Sequence, residues 1–143
     1  MNTKQIKELV NKYKGIPYCH AGRDLNGLDC LGLIYLFYND CGVYIPDGDG
    51  KPYSPDWYKD DPDRYRRGII KYGEPAPLDD LRTLDLVYFR MFKYISHTGI
   101  MLDTQHFIHV HQNSVVHISP LNFIWRKRLA GARRLINEGR RGK

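Results

Sequence analysis

The chain has 143 residues, of which 42% are hydrophobic and 27% charged, so its length and composition predict a single globular domain with its own core. No stretch has the length and apolarity of a membrane span, and the first ten residues lack the apolar core of a signal peptide. We therefore expect one domain over residues 1–143, with a disordered basic tail at about 137–143. We also expect synthesis in the cytoplasm without a signal peptide, export by a non-classical route or incorporation into a virion, and no membrane partner.

The net charge of +6 reflects basic residues that cluster toward the C-terminus, at 126–128, 133–134 and 140–143. Such a cluster can attract nucleic acid or an anionic wall polymer, although a solvated basic face explains the same pattern. The sequence contains no helix-turn-helix, RNA-recognition or zinc-finger pattern. We expect no specific nucleic-acid partner.

Cys30 is the candidate nucleophile among three widely spaced cysteines, the others being Cys19 and Cys41. No CxxC pair is present, which disfavours a zinc ribbon or a thioredoxin-type site, and the odd number favours free thiols. Cys30 begins a run that is apolar on almost every side, which predicts a buried helix from about Asp29 to Cys41. A helix N-terminus favours negative charge, so we expect this position to lower the pKa of the Cys30 thiol.

Helices precede strands along the chain, which predicts an α+β architecture rather than alternating βαβ units. The apolar spacing predicts a first helix at 2–14, an extended stretch from Pro17, a loop at 23–29, a helical piece at about 57–72, strands at 85–90, 97–102, 106–110 and 114–119, and a last strand or short helix at 129–135. The consecutive strands predict an antiparallel meander. The rest of the long connection between residues 42 and 77 is expected to form surface loops and one wall of a cleft.

Two histidines on neighbouring strands can supply the base that a cysteine nucleophile needs. His97 opens one predicted strand and His109 lies on the next, and cross-strand side chains lie about 5 Å apart. Cys30, His97 and His109 therefore form a candidate nucleophile, base and orienting residue. The nearby histidines leave two alternatives. One is replacement of His109 by His106, His111 or His117 if the register slips by two. The other is a zinc site formed by His109, His111 and His117.

Five segments in the same order resemble the NlpC family of papain-like cell-wall cysteine peptidases. They are Gly15-Ile16-Pro17-Tyr18, Leu28-Asp29-Cys30-Leu31-Gly32-Leu33, Asp85-Leu86-Val87-Tyr88-Phe89, Ser96-His97-Thr98-Gly99-Ile100-Met101-Leu102 and Phe107-Ile108-His109-Val110. The resemblance implies a papain-like α+β fold in which the nucleophile helix packs on an antiparallel sheet. It also implies that Cys30 is the nucleophile, His97 the base and His109 the orienting residue. No metal or organic cofactor is implied.

The resemblance further implies hydrolysis of an amide bond in peptidoglycan stem peptides. The family's tyrosine beside the oxyanion hole corresponds to Tyr18, and Asp29 and Leu31 flank the nucleophile as candidate oxyanion or substrate-binding residues, with Asp29 also placed to cap the helix. Leu31 stands where the family usually has a small residue such as serine, which puts the usual stem-peptide specificity in question. The short chain and its Asp29-Cys30-Leu31-Gly32-Leu33 segment resemble the phage and prophage members of the family, which implies phage tail proteins as partners. The alternatives are an acyl transferase with the same triad and a non-catalytic tail or wall-binding protein.

Overall fold

A computed structural model describes residues 1–136. Its helices are α1 (Thr3–Tyr13), α2 (Cys30–Asp40), α3 (Arg64–Ile69) and α4 (Phe123–Arg128), with a 3-10 helix at Trp57–Lys59. Its strands are β1 (Arg23–Asp24), β2 (Gly27–Leu28), β3 (Glu74–Pro75), β4 (Leu86–Met91), β5 (Tyr94–Met101), β6 (His106–His109), β7 (His117–Pro120) and β8 (Leu129–Arg134). None of the helices in this part of the chain is long and apolar enough to cross a bilayer. The expected disorder at 137–143 lies outside the described residues.

A six-stranded antiparallel sheet forms the centre of the fold, in the order β3-β8-β4-β5-β6-β7. The predicted meander is correct from β4 to β7, and β8 returns to pair with β4 on its other side. Mixed helices with an antiparallel sheet are the predicted α+β class.

Helix α2 is buried against one face of this sheet, as the apolar run predicts. Its side chains Leu33 and Phe37 are fully buried with Ile100 of β5 and Ile108 of β6 in the larger core cluster. The opposite face of the sheet carries a second apolar cluster around Phe89, Met101 and Phe107, onto which Trp125 of α4 packs. Burying both faces holds the start of α2 in a fixed position over β5.

The predicted helix over residues 57–72 is instead split into the 3-10 helix and α3. Pro62 lies between the two pieces, and proline is tolerated at the start of a helix but not inside one. The long connection therefore folds back over the start of α2, where α3 brings Tyr65 into the core.

Other boundaries also differ from the sequence prediction. The expected loop at 23–29 contains the hairpin of β1 and β2, and β5 begins at Tyr94, so His97 lies inside the strand rather than at its start. The predicted strand at 114–119 shrinks to β7, and α4 was not predicted. A β-bulge beside Phe89 shifts the β4–β5 register immediately before His97.

Candidate active site

Cys30 is the first residue of α2 and lies on the wall of a cavity of about 120 Å³. The Asp29 side chain caps the helix by accepting a hydrogen bond from the Gly32 backbone N–H at 2.8 Å, as predicted. A helix leaves its first backbone N–H groups without intrahelical acceptors, so the Cys30 N–H remains available beside the sulfur. The cap thus presents a thiol and an N–H donor together at a cavity.

The Cys30 sulfur forms its hydrogen bond with a tyrosine rather than with a histidine. Sγ lies 2.9 Å from the Tyr65 hydroxyl and 3.8 Å from the Ser96 carbonyl oxygen. Among the described residues no hydrogen bond joins Cys30 to His97. Thr98 bonds to Tyr65 and to the Cys30 carbonyl, whereas the ring of its strand neighbour His97 packs against Phe89 and Trp125.

The expected lowering of the Cys30 pKa is wrong. Burial and the neighbouring Asp29 carboxylate raise the pKa of the Cys30 thiol to about 11, and hydrogen bonding from Tyr65 and Thr98 lowers it only in part. Desolvation disfavours the thiolate more than these donors favour it. The resting sulfur is therefore a neutral thiol at neutral pH.

Three side chains form a continuous hydrogen-bonded chain behind His97. The Nε2 atom of His97 lies 2.8 Å from Nδ1 of His109, and Nε2 of His109 lies 2.7 Å from the Ser119 hydroxyl. His97 and His109 are both buried, and burial lowers the pKa of His97 to about 3 and that of His109 to about 2. Both imidazoles are therefore neutral at neutral pH, each with one N–H and one lone pair.

The chain of contacts fixes which nitrogen of His97 can act as a base. Since Nε2 is bonded to His109, Nδ1 is the remaining nitrogen. If Nε2 of His97 donates to His109, then His109 donates through its own Nε2 to Ser119, and Nδ1 of His97 keeps its lone pair. This is the protonation pattern that a base toward Cys30 requires.

The remaining histidines of the meander are arranged differently from the alternatives that the sequence left open. The rings of His111 and His117 flank His109, with centroids 5.7 and 4.4 Å away, but neither bonds to His97. His106 instead faces the Asp103 carboxylate at 3.1 Å. Both nitrogens of His109 are occupied, and within residues 1–136 no three His, Cys, Asp or Glu side chains are arranged to hold a metal ion.

Asp29 forms hydrogen bonds with the loops around Cys30. Besides capping α2, its buried carboxylate accepts hydrogen bonds from the Ala21 N–H at 2.9 Å and the Arg23 guanidinium at 2.8 Å, and from the Tyr53 hydroxyl. Its two oxygens are thus engaged by four donors. Asp29 reaches the cavity wall, but its principal contacts hold the loops in place.

Tyr18 and Leu31 both line the cavity that Cys30 faces. The Tyr18 hydroxyl forms no hydrogen bond with any described residue, and burial raises its pKa to about 12, so it remains a neutral donor. Tyr53, Trp57, Tyr65 and Tyr72 make much of the cavity wall aromatic. The arrangement offers donors near the sulfur and an aromatic surface for the rest of a substrate.

Two polar residues of the site were not identified from the sequence. Ser119 could have been suspected, because β7 pairs with β6 so that His117 lies opposite His109 and Ser119 is two residues further on. Tyr65 had no comparable signal, since it lies in a connection whose path is not determined by strand pairing.

Comparison with known proteins identifies the family to which most of this chain is similar. A family model described as the NlpC/P60 family matches residues 15–134. The murein DD-endopeptidase MepS/murein LD-carboxypeptidase of Escherichia coli K12 is 29% identical over 135 residues, which cover 93% of this chain and 63% of that protein. The gamma-D-glutamyl-L-lysine dipeptidyl-peptidase of Bacillus subtilis is 26% identical over 131 residues, covering 88% of this chain and 38% of that protein. The chain thus spans less than two thirds of either relative.

Solved structures confirm the fold class. An NlpC/P60 family protein from Bacillus cereus has a TM-score of 0.74 at 22% identity, covering 96% of this chain and 41% of that one. The NlpC/p60 domain of the peptidoglycan hydrolase SagA has a TM-score of 0.64 at 20% identity, covering 94% and 99%. RipD from Mycobacterium tuberculosis, a non-catalytic NlpC/p60 domain protein adapted to peptidoglycan binding, has a TM-score of 0.64 at 18% identity, covering 94% and 97%. The fold is thus the predicted papain-like one, and the chain belongs to the NlpC/P60 family.

Proposed function

We propose that this protein is a cysteine hydrolase that cleaves an amide bond in peptidoglycan stem peptides. The observation that carries the proposal is the thiol of Cys30 at a capped helix N-terminus on a cavity wall. Its sulfur lies 3.8 Å from the carbonyl oxygen of Ser96, the residue before His97, and His97 begins the hydrogen-bonded chain to His109 and Ser119. The relatives named as murein and gamma-D-glutamyl peptidases support the substrate class.

In the proposed reaction, Nδ1 of His97 takes the proton of the Cys30 thiol while the sulfur stays next to the Tyr65 hydroxyl. The sulfur then bonds to the carbonyl carbon, and the oxyanion is stabilised by the Cys30 N–H and the Tyr18 hydroxyl. His97 returns its proton to the departing amine as the C–N bond breaks, and water hydrolyses the thioester. The resting neutral thiol and neutral imidazole make proton transfer part of the attack rather than a preceding equilibrium.

Leu31 is proposed to contribute to substrate specificity. Its apolar side chain lines the cavity next to the nucleophile, so no hydroxyl or charge at this position binds the substrate. The aromatic wall provides contact area for an apolar side chain of the stem peptide.

The test is mass spectrometry of defined muropeptides incubated with the wild-type protein and with Cys30→Ala, without an added acyl acceptor. New fragments carrying a free amine and a free carboxylate, absent with Cys30→Ala, are expected. Cys19→Ala is the matched control, since Cys19 is an exposed free cysteine and this variant should cleave like the wild type. Cleavage retained by a folded Cys30→Ala variant would refute the proposal. Product formed only with an added amine would indicate the acyl transferase instead.

A non-catalytic peptidoglycan-binding role is the second candidate, and one observation favours it. The Cys30 thiol is bonded to Tyr65, its pKa is raised, and it forms no hydrogen bond with His97 among the described residues. The fold is also shared with a non-catalytic protein adapted to peptidoglycan binding. Equal sedimentation of wild-type protein and Cys30→Ala with purified sacculi, together with no cleavage by either, would establish this role.

The biological setting forms a separate part of the proposal, in which the enzyme acts in a phage tail and opens the wall locally. What supports it is the Asp29-Cys30-Leu31-Gly32-Leu33 segment, which resembles the short phage and prophage members. Detection of the protein in purified virions by mass spectrometry would support this setting, and its detection only in uninfected cell fractions would contradict it.

A further inference from the structure

The Tyr65 hydroxyl joins the nucleophile to strand β5. It lies 2.9 Å from Sγ of Cys30 and 2.9 Å from Oγ1 of Thr98; Tyr65 and Thr98 are buried, and Cys30 is half-buried. The Tyr65 ring stacks on Trp57, with centroids 5.9 Å apart and planes inclined by 26°. These contacts hold the phenol in place from both ends, so its hydroxyl cannot easily leave the sulfur.

The hydrogen-bonding capacities of these groups allow two arrangements. When Cys30 is a thiol, the S–H can donate to Tyr65, whose own proton is then directed to Thr98. When Cys30 is a thiolate, the sulfur can only accept, so Tyr65 donates to sulfur and Thr98 donates to Tyr65. Apart from the proton that the thiol has lost, the two arrangements differ only in the rotation of hydroxyl hydrogens, so no heavy atom has to move. The site is thus prepared for both protonation states of the nucleophile.

We propose that Tyr65 is a catalytic residue of this site, whose hydroxyl donates a hydrogen bond to the Cys30 sulfur whenever that sulfur is a thiolate. This deepens the proposed hydrolase function and rests on it. During acylation the bond stabilises the thiolate as its proton goes to His97, and it weakens as the electron pair forms the S–C bond. During hydrolysis water adds to the thioester carbon and gives a proton to His97, and the C–S bond then breaks with both electrons going to sulfur. Tyr65 then stabilises the departing thiolate, while the acyl group leaves as the carboxylic acid.

The assignment also accounts for the other groups that face the sulfur. Asp29 is the negative neighbour on the same helix, and it disfavours the thiolate. Tyr18 lies across the cavity as a neutral phenol without a hydrogen bond to the sulfur, and β5 contributes Thr98 and the Ser96 carbonyl, a pure acceptor. Tyr65 therefore places a hydrogen-bond donor directly on the sulfur at 2.9 Å, and Thr98 is the other donor that favours the thiolate.

The experiment measures the alkylation rate of Cys30 by iodoacetamide between pH 7 and 9.5, following the Cys30 peptide by mass spectrometry. Tyr65→Phe removes the hydroxyl and keeps the ring. A charge-assisted hydrogen bond corresponds to about one to two pKa units, and part of that change is offset because a more basic thiolate is more reactive. We expect Tyr65→Phe to lower the rate about 3- to 10-fold over the whole pH range, with an unchanged slope of log rate against pH.

Tyr72→Phe is the matched control. Tyr72 lines the same cavity, but its hydroxyl donates to the Pro46 carbonyl at 2.9 Å, so its removal should leave the Cys30 alkylation rate unchanged. Thr98→Val, which removes the second partner of Tyr65, should lower the rate by a smaller factor. If Tyr65→Phe alkylates at the rate of Tyr72→Phe, or faster than the wild type, then Tyr65 only packs against the thiol and the assignment is wrong.

The alkylation assay needs no substrate, so it separates this assignment from the proposed function. If wild-type protein cleaves muropeptides, Tyr65→Phe should lower kcat about as much as alkylation with little change in KM. An unchanged kcat would refute the catalytic role even if alkylation slows. Absence of cleavage by wild-type protein would refute the proposed function and with it the catalytic role of Tyr65, while a slower alkylation would still show its hydrogen bond to the thiolate.

Discussion

The Ser119 hydroxyl lies 2.7 Å from Nε2 of His109 and extends the histidine pair by one member. His109 is buried and its Nδ1 is already bonded to His97, so Ser119 is the group that can accept the outer proton of His109. When the serine accepts this proton, Nδ1 of His109 accepts from Nε2 of His97, and Nδ1 of His97 keeps its lone pair. Ser119 acts through two other residues and is a positioning residue.

Replacement of Ser119 by alanine should reduce kcat/KM for the muropeptide about 3- to 10-fold, which corresponds to the loss of one neutral hydrogen bond. The reason is that His109 loses the acceptor that favours the productive tautomer. Ser119→Thr keeps the hydroxyl and should restore most of the activity. Equal loss in both variants, with unchanged melting temperature, would assign Ser119 to packing rather than to positioning.

The buried histidine pair should make the protein less stable in mild acid. Burial lowers the pKa of His97 to about 3 and that of His109 to about 2, from an ordinary value of 6.5. Above about pH 6.5 both imidazoles are neutral whether the chain is folded or unfolded. Below it the unfolded chain takes up protons that the folded chain does not, so the free energy of unfolding falls from about pH 6.5 down toward pH 3.

Urea unfolding at pH 7 and pH 5 measures this effect. We expect the free energy of unfolding to fall by about 2 kcal/mol for each of the two histidines over this interval. His109→Gln should remove about half of the pH dependence, whatever its effect at pH 7. The same stability at both pH values would show that the pair is not held neutral.

Local patterns predicted those parts of the site that depend on helix ends and strand alternation. The apolar run and its acidic predecessor place Cys30 at a capped helix start, and strand spacing places His109 next to His97. The state of the thiol could not be predicted in this way. It depends on how deeply α2 is buried and on Tyr65, which arrives from a connection interrupted by Pro62.

The register of the sheet was the other limit of the sequence prediction. The bulge beside Phe89 and the late return of β8 depend on contacts between distant segments. Strand alternation places His97 and Thr98 on opposite faces, but it cannot show that Trp125 packs on the His97 side and α2 on the Thr98 side. The relation between Cys30 and His97 therefore follows from the assembled sheet and not from either segment.

The Asp29–Arg23 ion pair should contribute more to the free energy of unfolding than an exposed ion pair does, because Asp29 is buried. Replacement of Asp29 by alanine removes the helix cap and leaves the Arg23 guanidinium half-buried without its closest carboxylate. Breaking a buried pair in this way costs about 3–5 kcal/mol. Asp47→Ala is a matched control, because Asp47 contacts the same arginine from the exposed side and its loss should cost at most about 1 kcal/mol. Chemical denaturation of both variants tests this difference, and equal losses would contradict it.

Gly32 lies where α2 meets the loop before it, and it should not tolerate a side chain. A Cβ at this position would overlap the Gly22 carbonyl oxygen and lie 3.0 Å from the Arg23 guanidinium. Overpacking of this kind costs about 1–3 kcal/mol, which exceeds the roughly 1 kcal/mol that alanine gains over glycine in a helix. We expect Gly32→Ala to lower the melting temperature and to slow muropeptide cleavage, because the displaced helix start carries Cys30.

The glycine-to-alanine substitution at Gly68 in α3 should instead raise the stability of the protein. A Cβ at Gly68 would meet no atom within 4 Å, so Gly68→Ala should gain about 0.5–1 kcal/mol of stability from helix propensity alone. Thermal unfolding of the two variants side by side separates steric contact from propensity, since the chemical change is identical. If Gly32→Ala were as stable as Gly68→Ala, the loop at Gly22 would have to move freely, and the rigid support inferred for the start of α2 would be wrong.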